Sequence, residues 1–157
     1  MSERYTHHAT FVIERTYAAS PARVFAAWAE PAAKARWFAC HDEWEIAVHE
    51  LDFRVGGRER LRTGPPGGTV HAFDGQYQDI VPDQRIVYSY DMHLDETQIS
   101  VSLVTVELKP AGAGTRLIFT EQAVFLDGTS NAAEREEGTR VGLDNLDAAL
   151  RREAADA

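Results

Sequence analysis

The order of the secondary-structure signals near the N-terminus constrains the fold of this chain most strongly. Residues 11–17 alternate apolar and polar side chains, which predicts a β-strand. Ser20 is a favourable N-cap and Pro21 suits the first position of a helix, so a helix is predicted to begin there. Pro31 begins a second short helix, which ends in the aromatic pair of Arg-Trp-Phe at 36–38. A strand, two short helices and then a long run of strands is an uncommon order of elements.

Six further strands and a final helix are predicted after this block. The strands lie at 43–49, 53–63, 69–81, 85–93, 97–109 and 115–125, and Pro, Gly and Asp residues between them favour turns. Gly56-Gly57 predicts a bulge or a sharp bend inside the second of these strands. Asn131 and Glu134 resemble a capping box, and the helix that they begin runs to about residue 153. The pattern predicts an α+β fold with a seven-stranded antiparallel sheet whose concave face is covered by the last helix.

Length and composition limit the classes of partner. The 157 residues, of which 44% are hydrophobic, predict a single domain over 1–157 with its core at about 10–152. The net charge of −9 makes nucleic acid and anionic membrane surfaces unfavourable partners. No apolar run is long enough to span a membrane, and the N-terminus lacks a signal-peptide pattern. The single cysteine, Cys40, is typical of a reducing cytoplasm, where we expect the protein to be located.

Two glycines interrupt the predicted final helix. Gly138 and Gly142 are four residues apart and share a helix face, and each costs about 1 kcal/mol relative to alanine in a helix interior. Either the helix tolerates them at a frayed start or in close packing on the sheet, or their missing side chains leave space for a ligand beneath the helix. The sequence leaves both interpretations open.

The N-terminal block, taken with later motifs, resembles the START-like (SRPBCC) superfamily, in the branch named for homologues of a heat-shock-chaperone ATPase activator. The later motifs are Asp-Phe-Arg-Val-Gly-Gly at 52–57, Gly-Gln-Tyr-Gln-Asp-Ile-Val-Pro at 75–82, Arg-Ile-Val-Tyr-Ser-Tyr at 85–90 and Gly-Thr-Arg-Leu with Phe-Thr-Glu at 114–121. The resemblance covers about residues 10–152. It implies a helix-grip fold, in which a curved sheet wraps around the C-terminal helix and encloses a cavity. Because members include lipid carriers, aromatase/cyclases, hormone and allergen-type binders and chaperone regulators, the resemblance implies the architecture better than the activity.

The chain departs from the pattern of its relatives at two places. Ala39-Cys40 follows the aromatic pair, where relatives often carry Gly-Pro. Thr139 or Leu143 occupies the position after a glycine where many relatives carry Trp in the final helix. Because the smaller residue would enlarge the cavity, the ligand of a relative is not transferred to this chain.

Strand alternation identifies two candidate catalytic residues. Glu121 shares the parity of its apolar neighbours on the last strand, and Arg15 shares that of the apolar residues on the first strand. Since the resemblance implies that these two strands are neighbours, Arg15 and Glu121 are predicted to meet on the inner face. The pair would either fix the strand register as a buried ion pair or supply a general acid or base.

The remaining site residues are predicted from aromatic side chains on inner strand faces, the aromatic pair after the second helix and the cavity side of the last helix. The predicted ligand-binding set is Trp37, Phe38, His71, Phe73, Tyr77, Tyr88, Tyr90, Phe119, Glu121, Gly138, Gly142 and Leu146. Trp37 and Phe38 are placed at the cavity mouth, whereas Trp28 is assigned to the core. No metal signature is present, the run Cys40-His41-Asp42 is interpreted as a loop coincidence, and no cofactor is predicted.

These observations favour a protein that binds a small apolar or aromatic, lipid- or polyketide-like molecule between sheet and helix. Two alternatives remain: an aromatase/cyclase-type enzyme that uses the same cavity, and a regulator of a chaperone ATPase. No strong catalytic constellation is present, which favours binding over catalysis. The aromatic-rich strands leave the formation of a homodimer open.

Overall fold

The computed structural model describes residues 3–38 and 43–156. Its elements in chain order are β1 (Thr6–Tyr17), α1 (Pro21–Ala29), α2 (Pro31–Lys34), β2 (Glu45–Leu51), β3 (Arg58–Gly64), β4 (His71–Val81), β5 (Arg85–Leu94), β6 (Thr97–Ala111), β7 (Gly114–Leu126) and α3 (Ala132–Asp156). All seven strands form one curved antiparallel sheet in the order β1-β7-β6-β5-β4-β3-β2, with α3 on its concave face. The predicted helix-grip fold is therefore confirmed. The predictions at Ala39-Cys40 and at Cys40-His41-Asp42 lie outside the described residues.

The helical block between β1 and β2 forms as its sequence predicts. The Ser20 side chain accepts a hydrogen bond from the backbone N–H of Arg23 at 3.3 Å, and Pro21 occupies the first turn of α1. Glu30 is extended, with φ −90° and ψ 125°, because the residue before a proline avoids the helical region. The block packs against β6, β7 and α3, so it adds a second layer beside the long helix on the concave face.

Two strand boundaries differ from the sequence prediction by five residues, whereas the others agree to within two residues. β1 begins at Thr6 rather than at residue 11, and Thr6 lies opposite Leu126 in the register with β7. The side chains at the start of β1 are exposed and show no apolar alternation, so periodicity did not indicate this part of the strand. β3 begins at Arg58 rather than at residue 53, because Gly56 has a φ of +83° and the N–H of Gly57 closes a turn on the carbonyl of Arg54.

The concave face carries the core. In β7 the side chains predicted to point inward are buried and those between them are not, so the predicted parity is confirmed; the buried set is Leu117, Phe119, Glu121, Ala123 and Phe125. α3 behaves differently along its length. Its buried side chains, Leu143, Leu146, Ala149 and Leu150, all lie at residue 143 or beyond. Residues 132–142 of α3 lie over the sheet and have no buried side chain.

The start of α3 is capped by Asn131, whose Oδ1 accepts a hydrogen bond from the backbone N–H of Glu134 at 2.9 Å. This cap fixes where the helix begins above the sheet. None of the helices in the described part of the chain is long and apolar enough to cross a membrane.

Candidate functional site

A cavity of about 430 Å³ lies between the concave face of the sheet and the N-terminal half of α3. Aromatic side chains from the strands and from the helical block form most of its wall, and Gly138 and Gly142 form part of its roof. A Cβ atom added at either glycine would meet no heavy atom within 4 Å. Close packing therefore does not require glycine at these positions, and their missing side chains leave open space in the roof.

One buried carboxylate lies in the wall. Glu121 of β7 is 1% exposed. Its Oε2 accepts hydrogen bonds from the Tyr90 hydroxyl at 2.7 Å, from Ser102 Oγ at 2.8 Å and from Arg135 Nη1 at 3.2 Å. Burial, reinforced by the charge of Glu121, raises the pKa of Tyr90, so its phenol stays protonated and remains a donor.

Arg135 enters this cluster from the beginning of α3. Its Nη1 donates to the Tyr90 hydroxyl at 2.7 Å, and its Nη2 donates to Ser100 Oγ at 2.7 Å. The guanidinium carbon lies 5.5 Å from the centre of the Tyr90 ring and 5.3 Å from that of Phe125, which adds a cation–π contribution. The Arg135 side chain thereby connects α3 to β5, β6 and β7.

The predicted contact between Arg15 and Glu121 is wrong. In the register of β1 with β7, Arg15 lies opposite Leu117, whereas Glu121 lies opposite Phe11. Four residues along a strand correspond to about 13 Å. Arg15 Nε instead lies 3.4 Å from Asp144 Oδ1 of α3, and Arg15 does not line the cavity.

Most of the predicted ligand-binding residues line the cavity. Those on its wall are Trp37, Phe38, His71, Phe73, Tyr88, Tyr90, Phe119, Glu121, Gly138 and Gly142. Tyr77 and Leu146 are not on the wall: Tyr77 donates to Glu59 beneath it, and Leu146 is fully buried in the core. Trp37 is only 3% exposed and packs on Trp28 at 4.7 Å, so it belongs to the inner wall and not to the mouth.

Arg135, Trp44 and Trp28 also line the cavity, although the first two were not predicted as site residues and Trp28 was predicted to belong to the core. A signal for Arg135 was available. It precedes Gly138 by three residues and Gly142 by seven, so all three lie on one helix face. Thr139 and Leu143, one of which was predicted to replace a Trp of relatives, also line the cavity.

The family described as Activator of Hsp90 ATPase homolog 1-like protein matches residues 18–151. The chain belongs to this family. The match begins just before α1 and ends within α3, so it includes the helical block, β2 to β7 and most of the cavity roof.

Solved structures of Activator of Hsp90 ATPase homolog 1-like and similar proteins share the fold. A protein from Rhizobium leguminosarum is 51% identical, with 96% of this chain and 99% of that chain covered and a TM-score of 0.92. A protein from Rhizobium loti is also 51% identical, with 92% and 99% covered and a TM-score of 0.86. An AHSA1-like protein from Aeromonas hydrophila is 22% identical, with 93% and 94% covered and a TM-score of 0.72, which shows the fold alone. A comparison with curated proteins gave no significant match.

This family member also contains a second buried ion pair, beneath the cavity wall. Lys34 at the end of α2 is 0% exposed, and its Nζ donates to Oε1 of Glu59 on β3 at 2.6 Å. Tyr77 donates to the same oxygen at 2.7 Å, and His49 Nε2 lies 2.8 Å from Oε2. The Lys34 ammonium also lies 4.4 Å from the ring centre of Phe38, a residue of the cavity wall. The Lys34–Glu59 pair therefore lies directly behind the cavity wall and contacts it through Phe38.

The environment of Glu59 shifts its titration strongly. Burial by itself would raise its pKa, but the Lys34 charge and the hydrogen bonds from His49, Lys34 and Tyr77 outweigh burial and lower the pKa from 4.5 to about 2. In the described ranges 3–38 and 43–156, no three His, Cys, Asp or Glu side chains group together as a metal site requires. Both buried carboxylates are thus held by cationic side chains of the chain itself.

We expect the Glu59 interaction to be lost in acid. Because its folded pKa lies below 4.5, its contribution to stability is complete above pH 4.5 and disappears as the pH falls toward about 2. The shift corresponds to about 3 kcal/mol of unfolding free energy. Urea unfolding of the wild type and of Glu59→Gln between pH 6 and pH 2 measures this contribution. We expect the free energy of unfolding of the wild type to fall more steeply with decreasing pH than that of the variant. Parallel pH profiles for the two proteins would contradict it.

Proposed function

We propose that the protein binds a small apolar or aromatic molecule in the cavity beneath α3. The observation that carries the proposal is the pair of glycines in the cavity roof, which keep open a space that side chains could fill. Each glycine costs about 1 kcal/mol of helix stability, and residues 132–142 of α3 have no buried side chain. A bound molecule would contact the aromatic wall and fill the space beneath the helix face that the protein alone leaves unpacked.

The composition of the wall supports the class of ligand. Small-molecule sites are concave and mostly apolar, with a few polar groups that orient the ligand. The aromatic rings along β4 and β5, with Phe119 of β7, provide the apolar part, and the Glu121–Arg135 pair provides the polar part. Affinity would come from apolar burial at about 25 cal/mol per Å², less the cost of ordering the ligand.

Gly142→Leu tests the proposal by filling the space. We expect the variant to be at least as stable as the wild type, because the substitution relieves the helix of a glycine and the new Cβ meets no atom within 4 Å. We expect ligand binding to fall by more than about tenfold, since a leucine side chain would occupy the apolar volume of the site. Native mass spectrometry of freshly purified wild-type protein would show the bound molecule, and the variant would lack it.

Ala148→Leu is the matched control, because Ala148 is exposed on the same helix and does not line the cavity. It adds the same type of side chain without changing the space beneath α3. Equal occupancy in both variants and the wild type would overturn the proposal.

An enzyme of the aromatase/cyclase kind is the second candidate. It is favoured by the buried Glu121 carboxylate, which lies on the cavity wall within hydrogen-bond distance of the Tyr90 phenol. Incubation of the protein with the molecule extracted from it would separate the two candidates. A binding protein would return the molecule unchanged, whereas an enzyme would convert it.

A further inference from the structure

We infer that the molecule bound in the cavity carries a neutral hydroxyl group that donates a hydrogen bond to Oε1 of Glu121. This inference rests on the proposed function and adds a specific ligand chemistry to it. The two oxygens of the Glu121 carboxylate differ in their hydrogen bonding. Three donors converge on Oε2, from Tyr90, Ser102 and Arg135, whereas no described residue donates to Oε1.

The position of Glu121 makes this asymmetry informative. The residue is 1% exposed and lines the cavity. A carboxylate offers about four acceptor sites, and Oε1 is not among the fully buried polar atoms of the described residues that lack a partner, so it faces the open space of the cavity. The strand fixes the backbone of Glu121 between β1 and β6, so the side chain cannot swing out to bulk solvent. A molecule in the cavity is placed to supply the missing donor.

The charges around Glu121 favour a neutral donor over an ionic one. Arg135 lies 3.2 Å from Oε2 and already balances the carboxylate, so an ammonium group at Oε1 would stand close to a guanidinium. A carboxylate ligand would face the Glu121 charge directly, and Glu134 adds a further acidic side chain to the same wall. A hydroxyl group donates to Oε1 without adding charge to a buried site. On a wall of aromatic rings, the corresponding ligand is a phenol or another hydroxylated apolar molecule.

Three probes of the same ring system test the inference by isothermal titration calorimetry on the wild-type chain: 2-naphthol, 2-methylnaphthalene and 2-naphthoate. We expect 2-naphthol to bind roughly ten- to a hundredfold more tightly than 2-methylnaphthalene, which is the range for a hydrogen bond to a charged group. We expect 2-naphthoate to bind most weakly of the three. The comparison needs no variant, so it stands even if a substitution at Glu121 impairs folding.

Glu121→Gln supplies the second arm. Removing the charge should reduce the preference for 2-naphthol over 2-methylnaphthalene to about threefold or less, because a neutral amide forms the weaker hydrogen bond. It should also strengthen 2-naphthoate binding, since Arg135 would lose its internal counter-charge. Glu137→Gln removes the same charge from an exposed position of α3 that does not line the cavity, and it should leave all three affinities unchanged.

The outcomes separate the inference from the proposed function. Equal wild-type affinities for 2-naphthol and 2-methylnaphthalene, both abolished by Gly142→Leu, would overturn the hydroxyl inference and leave cavity binding intact. A preference that persists unchanged in Glu121→Gln would also overturn the inference. Failure of all three probes to bind, or binding that Gly142→Leu does not affect, would overturn the proposed function and the inference together.

Discussion

Replacing Glu59 with glutamine should lower the free energy of unfolding at pH 7 by about 3–5 kcal/mol, because it leaves a buried ammonium without its counter-charge. Lys34 is 0% exposed, and its Nζ lies 2.6 Å from Glu59 Oε1. Its other polar neighbour is the Tyr77 hydroxyl at 3.4 Å, which cannot neutralise a charge. The rings of Phe38 and Trp28 have their centres 4.4 Å and 5.5 Å from Nζ. Their cation–π interaction reduces the loss of stability but does not replace the carboxylate.

Urea denaturation followed by circular dichroism measures this loss. Glu14→Gln is the matched control, because Glu14 also pairs with a basic residue, Arg116, at 2.8 Å, but both side chains are about half exposed. A surface pair of this kind contributes about 1 kcal/mol or less. The double variant Lys34→Met with Glu59→Gln should recover much of the loss, since it removes both buried charges. A loss in Glu59→Gln no larger than that in Glu14→Gln would show that Lys34 finds another way to be solvated.

The sequence predicted the fold well but gave no indication of this ion pair. The fold depends on local signals, such as the cap at Ser20 and the strand alternation, and these can be recognised in the amino-acid sequence alone. The β3 segment 58–62 reads Arg-Glu-Arg-Leu-Arg, which is typical of a solvated strand. Glu59 nevertheless lies on the buried face of β3 with Leu61, and Lys34 of α2, 25 residues away in the chain, is its partner there. A buried charge is stable only with its partner, and the partner is a tertiary property.

At the candidate site, too, the sequence predicted the local feature but not the tertiary partner. Alternation placed Glu121 on the inner face correctly, because a strand has a period of two. It could not identify the partner, since the register of β1 against β7 and the rotation of α3 about its axis are not encoded in that period. The register places Arg15 four residues from Glu121, and the helix supplies Arg135 instead. The two helix glycines were the sequence signal that indicated which face of α3 covers the cavity.

The cluster around Glu121 should respond asymmetrically to mutation. Arg135→Met should lower the free energy of unfolding by about 3–5 kcal/mol, because it leaves a carboxylate that is 1% exposed without a cation. Glu121→Gln should cost about 1–2 kcal/mol, since the Arg135 side chain is 14% exposed and lies beside the exposed Glu134, so its guanidinium can turn toward water. Glu121 lies on β7, which is paired with a strand on each side, whereas Arg135 lies near the start of α3 at the edge of the cavity.

Chemical denaturation of both single variants and of the double variant provides a mutant cycle for this pair. Arg140→Met is the matched control, because Arg140 of the same helix pairs with Glu136 at 2.6 Å on a partly exposed face, where the expected cost is about 0.5 kcal/mol. Equal losses in Arg135→Met and Glu121→Gln would contradict the asymmetry. The asymmetry bears on the proposed ligand binding, because pairing with β1 and β6 holds Glu121, and with it Oε1, at a fixed point in the cavity wall. A fixed acceptor selects for the position of a hydroxyl group as well as for its presence.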